Sequence, residues 1–558
     1  MIIMGFLHGH DAGATLIIDG EIVVSISEER LNRKKKNIAS YLKYPPVQSM
    51  QYCVSYAGIT LEDVDLFVYN ETDRSIDPIH FLSYTFGLDP EKFKYLTHHD
   101  AHIYSTYLTS NFKETNVVIA DGAGEDLIKG KRGYNYFENR GYNLADTSDL
   151  DHNFTEGWTI SFMNGQDHMD TNKKWLKTLK KPWDYMDEAS IGLMYDIAAW
   201  QLVSNHKNWP SAGKVMGLAS YANKKWVNQQ ERNYYIDGED LVIPHRQLHS
   251  DVNKDSDFQD KANVAGVYQR EQEETTMFLI EKSKKLTDVE NLCVAGGSFL
   301  NCNTNYNILK SGLYKNVHLF PPLDDSGVSL GCALWGAFKY DKLNRKDFFN
   351  PYLGRPYSDI EIFNVISQND KVRYEEYNND TLLTKKVAEL LNEDKVIGWY
   401  QGGAEIGPRA LGNRSILASP RPDWMRDHIN NNVKLREWYR PFAPAVLFER
   451  QSEIFDLDYF SPYMLVTAQV NEEWRDKIPA VTHHDNTARY QSVTEQTNSK
   501  FYNLIKEFDN LTGIPVLLNT SFNGPTEPIV ETPEDALKSF LELDIDILVM
   551  DNFVISKK

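Results

Sequence analysis

Cysteine is scarce in this chain: four residues in 558, at Cys53, Cys293, Cys302 and Cys332, with no two in C-x-x-C spacing. That excludes a disulfide scaffold and the usual cysteine-based zinc or redox site, and a reducing cytoplasm is the expected setting. Positive charge is also in deficit. The formal net charge of −20 speaks against a general nucleic-acid coat or a membrane-surface binder, both of which need a basic field. Local basic stretches remain at Arg33–Lys36, Lys129–Arg132 and Lys173–Lys181, and each reads first as solvated surface. No run of about 18 apolar residues occurs. The opening Met1–Leu7 has no basic flank, so neither a signal peptide nor a membrane span is expected. There is no tandem repeat and no low-complexity tract. What remains is ordinary globular composition, 41% hydrophobic and 25% charged, in a length that suits two to four domains at roughly 100–200 residues each.

The pattern of elements is α/β. Ile2–Leu7, Ala14–Asp19 and Glu21–Ser27 read as three strands in quick succession, with a hairpin at Asp19-Gly20. The turn His10-Asp11-Ala12-Gly13 between the first two suits the opening of an actin-like ATPase, where such a turn faces nucleotide phosphates. Strands are expected at Leu66–Tyr69, Phe93–Leu96, Val117–Ala120, Leu292–Ala295 and Val317–Phe320, and helices at His98–Thr109, Phe299–Leu309 and Gly327–Tyr340. A composition change near Leu343–Tyr357 suggests a first domain over 1–345, a linker over 346–375 and a second α/β domain over 376–558. The second domain opens with a helix at Leu382–Leu391 and a strand at Val396–Tyr400. It closes with a strand at Pro515–Leu518, a helix at Glu534–Leu543 and a strand at Ile547–Met550. The stretch Lys129–Ser190 is polar and aromatic, and reads as an insertion that shapes an acceptor pocket, its Lys173–Lys181 cluster suited to an anionic acceptor.

Four constellations carry chemistry. On a helix, His98 and His102 lie one turn apart on one face. Asp121, at a strand end before Gly122, and Asp325, just before a helix, extend the pair to a mixed nitrogen and oxygen set for a divalent ion, suited to holding phosphates. Gly296-Gly297 between strand and helix lets a ligand approach the backbone. Gln401–Leu417 carries four glycines with Arg409 and Arg414, and Lys434, Arg436 and Arg440 follow. Guanidinium forks among free backbone N–H groups make an anion nest. Arg489 is a lone cation in a polar stretch, and Ser521 ends an apolar strand, where α/β sheets meet their ligands.

The order and spacing of these motifs resemble the NodU/CmcH-type (tobramycin carbamoyltransferase-like) O-carbamoyltransferase family nearly end to end. The resemblance runs through His10-Asp11, Ser27–Arg30, His98–His102, Asp121-Gly122, Gly213–Ala219 and Gly296–Asn301, then Gly407–Leu417, Arg440–Pro444, Thr487–Arg489, Asn519–Asn523 and Glu527–Val530. It implies an actin-like ATPase (TsaD-like) domain followed by a YrdC-like domain. It implies that His98, His102, Asp121 and Asp325 hold Fe²⁺ or another divalent metal. Lys434, Arg440, Arg489 and Ser521 would bind carbamoyl phosphate, and Gly122, Gly296, Gly297, Asn301, Arg409 and Arg414 the nucleotide. His10 would stand near the acceptor hydroxyl. The implied reaction uses ATP with Mg²⁺ to convert carbamoyl phosphate to a carbamoyladenylate. The carbamoyl group then passes to a hydroxyl of a sugar, a secondary metabolite or a hydroxymethylpyrimidine, free or in DNA. Gly524-Pro525-Thr526 and Ser220 depart from the family's habit. Two other readings share part of the pattern, a threonylcarbamoyl-tRNA-type enzyme and a non-enzymatic actin-like nucleotide switch. No membrane partner is expected, and self-association is compatible with the sequence.

Overall fold

The computed structural model describes all residues except 38–43, 73–75, 123–125, 128–151, 166, 180–187 and 205–210. The chain opens with three strands, β1 (Ile2–His8), β2 (Gly13–Ile18) and β3 (Glu21–Ser27), and a short helix α1 (Glu28–Asn32). Then come β4 (Leu66–Glu71), β5 (Phe93–Tyr95), α2 (His98–Thr109) and β6 (Glu114–Ala120). A long hairpin follows, β7 (His152–Asn164) and β8 (Asp167–Leu179), then α3 (Ile191–Leu202) and α4 (Phe258–Leu286). The first half ends with β9 (Asn291–Ala295), α5 (Cys302–Ser311), β10 (Asn316–His318) and α6 (Val328–Tyr340).

These strands make two sheets. One has the order β3-β2-β1-β4-β5, and the other contains β10-β9-β6-β7 with β8 beside β7. β1 is buried on both faces and alternates between two cores, Ile3 and Leu7 in the larger, Met4 and Phe6 in the smaller, the period of two expected of a strand. Between the sheets lie α2 and α6, α2 packing on β6, β9 and β4 and α6 on β1 and β4. All residues of α2 are buried although many are polar. Its hydroxyls return to its own carbonyls, Ser105 to His102 and Thr109 to Ser105, which meets the cost of burial. The two helices touch closely: a Cβ on Gly331 of α6 would stand 2.0 Å from the Ala101 carbonyl of α2.

The second half is one nine-stranded sheet with its helices. It comprises α7 (Asp359–Ser367), β11 (Val372–Glu376), α8 (Asp380–Asn392), β12 (Ile397–Tyr400), β13 (Arg414–Ala418), β14 (Ala443–Leu447) and β15 (Val466–Gln469). It continues with β16 (Thr487–Val493), α9 (Ser499–Thr512), β17 (Val516–Ser521), α10 (Pro533–Glu542), β18 (Ile547–Met550) and β19 (Phe553–Lys557). The strand order is β11-β19-β18-β12-β13-β17-β14-β16-β15.

Several expectations need correction. The helix expected over Phe299–Leu309 is a 3-10 turn at Gly297–Leu300 followed by α5, whose N-cap is Asn301. The strand expected over Val317–Phe320 stops at His318. Within the stretch read as linker, α7 and β11 are regular elements, and β11 pairs with β19. Three cations of the basic stretches are engaged rather than free. Lys173 reaches the buried Glu156 at 2.6 Å, and Lys174 reaches Glu188 at 3.1 Å, so neither presents a free charge to an anionic acceptor. Arg33 donates to the Ile529 and Pro528 carbonyls of the second half at 2.8 and 2.9 Å. Lys129–Arg132, and Ala123–Glu125 after Gly122, lie outside the described residues.

Close packing of α6 on α2 predicts that Gly331→Ala destabilises the fold by about 1–3 kcal/mol. Urea unfolding monitored by circular dichroism checks this, and a midpoint equal to that of the parent protein would remove the contact as a constraint.

Candidate functional site

His98 and His102 face the seam where β6 ends and α6 begins. His98 Nε2 lies 3.2 Å from Asp121 Oδ2 and 3.3 Å from Asp325 Oδ1. His102 Nε2 lies 3.7 and 3.5 Å from the same oxygens. One ligand atom from each of the four residues falls within 4.8 Å of the others, and all four are buried. Local structure aims them. Gly296 adopts a φ of +100°, and a Cβ there would meet the Ala120 carbonyl at 2.3 Å, so only glycine lets the β9 turn approach the end of β6. The next backbone N–H, of Gly297, then donates to Asp121 Oδ1 at 2.7 Å and leaves Oδ2 for the cluster. Asn70 sets the tautomer of His98. Its amide donates to the Leu96 carbonyl at 2.9 Å, so its oxygen, 3.1 Å from His98 Nδ1, must accept. His98 therefore keeps a proton on Nδ1 and presents Nε2 to the cluster.

The residues fit a divalent cation. Both ring nitrogens of His102 are buried without a hydrogen-bond partner, a costly arrangement unless a ligand satisfies it. Burial raises the carboxyls of Asp121 and Asp325, but His98 and His102 lower them more, and both stay ionised. Burial likewise pulls His98 down, and Asp325 and Asp121 more than reverse it. The pocket thus favours positive charge, and two imidazoles with two carboxylates suit a transition metal of intermediate softness.

Other groups crowd around this quartet. His10 Nδ1 lies 3.2 Å from Asp11 and 3.4 Å from Asp325 Oδ2. Lys36, dismissed in the sequence as one of a basic run, brings its ammonium to 3.7 Å from Asp11 and also feels Asp324, Asp196 and Asp325. Asp196 was missed altogether. A Cβ on Gly122 would sit 4.0 Å from its Oδ2. Burial raises Asp196 to about 7, Lys36 opposing and Asp121 reinforcing the shift. The signal was present, since Asp196 is the sole charged residue on the apolar helix α3. The Gly122 carbonyl accepts from Ser190 Oγ at 2.6 Å. Asn301 is engaged in structure: it caps α5 at Thr304 and exchanges hydrogen bonds with Gln269 at 2.9 and 3.0 Å.

In the second half the expected cations converge. Lys434 is buried, and its ammonium donates to the Ser521 carbonyl at 2.8 Å, the Asn523 carbonyl at 2.9 Å and Asn523 Oδ1 at 2.7 Å. All are neutral oxygens. Burial, then Arg436, Lys35 and Arg440, push its pKa well below the ordinary lysine value. Burial, then Arg440 and Arg489, do the same to Arg436. Arg440 is depressed by burial and by Arg489, with Glu437 opposing from 3.8 Å. Arg409 falls to about 10 through burial and its nearness to Arg489. The Nε atoms of Arg409 and Arg489 are buried without a partner. A fold that holds like charges together in this way is built for an anion. Arg414 stands apart from the group. It is fully buried, stacks 3.6 Å from the Tyr400 ring, and donates to the Gln401 and Gly402 carbonyls at 2.7 and 3.0 Å. It braces the glycine-rich loop instead of joining the pocket.

The two sites adjoin. Gly407 of that loop, at a φ of +93°, lies where a Cβ would be 3.0 Å from the Pro321 carbonyl, just before Asp324 and Asp325. Arg409 feels Arg489 and Arg440 on one side and Asp324 on the other.

Comparison with known proteins gives one family. The model described as "Carbamoyltransferase N-terminus" matches residues 3–85 and 87–334, and "Carbamoyltransferase C-terminus" matches residues 388–557. An uncharacterised protein of Synechocystis is 31% identical over 98% of this chain and 95% of its own. The nodulation protein NolNO of Sinorhizobium fredii is 30% identical over 98% of this chain and 79% of its own. Among solved structures, the crystal structure of T. kodakarensis HypF is 13% identical, covers 60% of this chain and 47% of its own, and gives a TM-score of 0.39.

Two substitutions test the metal centre by titration of the purified protein with Co²⁺, read from the visible absorption of the bound ion. His102→Ala should abolish binding. Asn70→Ala, which frees the His98 ring, should weaken it about 10–100-fold. Retention of parental affinity by His102→Ala would remove that residue from the ligand set.

Proposed function

This chain belongs to the carbamoyltransferase family, and from that premise we propose that it is an ATP-dependent O-carbamoyltransferase using carbamoyl phosphate. The observation that carries this reading is the group of mutually repelling cations Lys434, Arg436, Arg440 and Arg409, gathered with Arg489, next to a carboxylate-rich centre fit for a metal. One pocket suits a small doubly charged anion, and its neighbour suits a phosphate chain held through a cation.

In the first half-reaction Lys434, Arg440 and Arg489, with Ser521 at the strand end, hold carbamoyl phosphate. Water then hydrolyses it: the water oxygen ends on phosphorus as the P–O bond to the carbamate breaks, releasing inorganic phosphate and carbamate. A carbamate oxygen attacks the α-phosphorus of ATP·Mg²⁺, and pyrophosphate leaves with its charge balanced by the same cations. In the second, an acceptor hydroxyl attacks the carbamoyl carbon of the adenylate and AMP leaves. His98, His102, Asp121 and Asp325 hold a divalent ion, Fe²⁺ in this reading, which supplies Lewis-acid stabilisation of phosphate charge when bound. The Gly122 and Gly296-Gly297 turns let the nucleotide lie against backbone. His10 and Asp196 are the bases within reach of an acceptor hydroxyl, and Lys36 steadies the negative charge that gathers there. The reading extends to the architecture, an actin-like ATPase unit over the first half and a YrdC-like unit over the second, and to a cytoplasmic setting that keeps the four buried cysteines as thiols. The acceptor is a hydroxyl-bearing sugar, secondary metabolite or hydroxymethylpyrimidine.

The first half-reaction needs no acceptor and can be tested alone. Exchange of labelled pyrophosphate into ATP should depend on carbamoyl phosphate. Arg489→Ala and Lys434→Ala should each reduce it by about 10²-fold or more, while His10→Asn should leave it intact. Exchange without carbamoyl phosphate, or none with it, would overturn the proposal.

A further inference from the structure

The nine-stranded sheet ends at β11, a strand with a neighbour on one side only. Four of its five residues are exposed. The pairs Val372↔Lys557, Tyr374↔Ile555 and Glu376↔Phe553 lie in register with β19. The flanking bonds fix which groups face inward: Lys558 N–H donates to the Lys371 carbonyl, and Tyr377 N–H to the Asn552 carbonyl, both at 2.9 Å. In an antiparallel ladder hydrogen-bonded pairs alternate, so Lys371, Arg373, Glu375 and Tyr377 point their backbone groups at β19. Val372, Tyr374 and Glu376 point theirs outward, where no strand of the described residues meets them.

An open edge usually carries charges of one sign or a proline to prevent pairing. This one reads Val-Arg-Tyr-Glu-Glu. Placed antiparallel to itself about Tyr374, it sets Arg373 opposite Glu375 of a second copy, twice over. The same register pairs Tyr374 with Tyr374, and Val372 with Glu376, through the very N–H and C=O groups that face outward. Arg373 and Glu375 then form the closely spaced, non-hydrogen-bonded pairs, where side chains interact best. Neither has an ion-pair partner among the described residues; Arg373 Nε donates to Ser556 Oγ at 2.9 Å, and Glu375 Oε2 accepts from the Tyr377 hydroxyl at 3.0 Å. On the other face of the strand, Tyr374 is 39% exposed and packs 5.9 Å from Phe363 of α7, itself 41% exposed, with Ile360 on the same helix 73% exposed. These apolar groups are unusually open for a helix beside a sheet, and self-pairing brings the two sets together.

We propose that this edge is a self-association surface whose occupant is a second copy of the chain, joined antiparallel through β11 with the two-fold axis at Tyr374. The edge is short, so the dimer is a weak one that exchanges with monomer in the micromolar range.

Light scattering of the eluting full-length protein, at a series of loading concentrations, tests this. The parent protein should move from monomer towards dimer mass. Glu375→Arg sets two arginines against each other across the axis, and Arg373→Glu sets two glutamates. Each should weaken self-association by about tenfold or more. A one-to-one mixture of the two variants restores Arg-to-Glu pairs on both sides and should form a heterodimer. So should the double variant with itself. Circular dichroism guards against misfolding, which surface charges on an edge strand should not cause. A parent protein that stays monomeric throughout, single variants that dimerise like the parent, or a mixture that fails to associate would each overturn the proposal. Pyrophosphate exchange is read separately, so failure here leaves the activity reading untouched.

Discussion

Repulsion between cations is the constraint on which the rest of the second half depends. Lys434 lies buried on neutral oxygens, and Arg436, Arg440, Arg489 and Arg409 raise each other's energy. No such group assembles spontaneously. It is held by the scaffold beneath: Ser521 at the end of β17, Arg489 within β16, and the wide π-helical turn at Ile429–Val433 that leads into Lys434. Strand ends are rigid, and an anion entering there would relieve the repulsion between these charges. The stability of the fold is thereby turned into affinity for a ligand.

The first half solves the opposite problem. Around His98 and His102 the carboxylates Asp121, Asp325, Asp324, Asp11 and Asp196 gather with His10 and Lys36. This carboxylate-lined centre lies beside the cationic group, and Arg409 feels both. A chain of phosphates with a divalent ion at one end matches that polarity, which is why geometry and family membership point the same way.

Much of this was legible in residue order. His98 and His102 at helical spacing, aspartates before glycines at strand ends, and arginines among glycines are local patterns, and the fold gathers each as expected. What escaped was of two kinds. Arg414 was grouped with Arg409 because both sit in one glycine-rich loop, yet one faces the pocket and the other supports the loop from behind; orientation within a loop is a tertiary property. Lys36 is a single residue whose partners are far away in sequence, so nothing near it announces a role, and the one local signal for Asp196 is that it is the sole charge on the apolar helix α3. The Lys173 cluster misled for a related reason, because its counter-charge Glu156 lies across a hairpin, not along a helix. The elements α7 and β11 lie just beyond the polar stretch Leu343–Tyr357 and were absorbed into the linker read from it, although α7 carries five apolar residues in nine.

Arg30 has a consequence for how such chains can evolve. Its guanidinium, on α1 of the first half, is almost wholly buried and donates at 3.1 Å to the Gly407 carbonyl of the second half, with Arg33 anchored beside it. Pair the first half with a second half whose loop lacks the Gly407 carbonyl in this place, and the charge stays buried with that acceptor gone, at a cost of about 3–5 kcal/mol for an unpaired buried ion. The two units are therefore poor candidates for shuffling as interchangeable cassettes. A recombinant that swaps one half for a distant relative's must carry the matching carbonyl cradle with it.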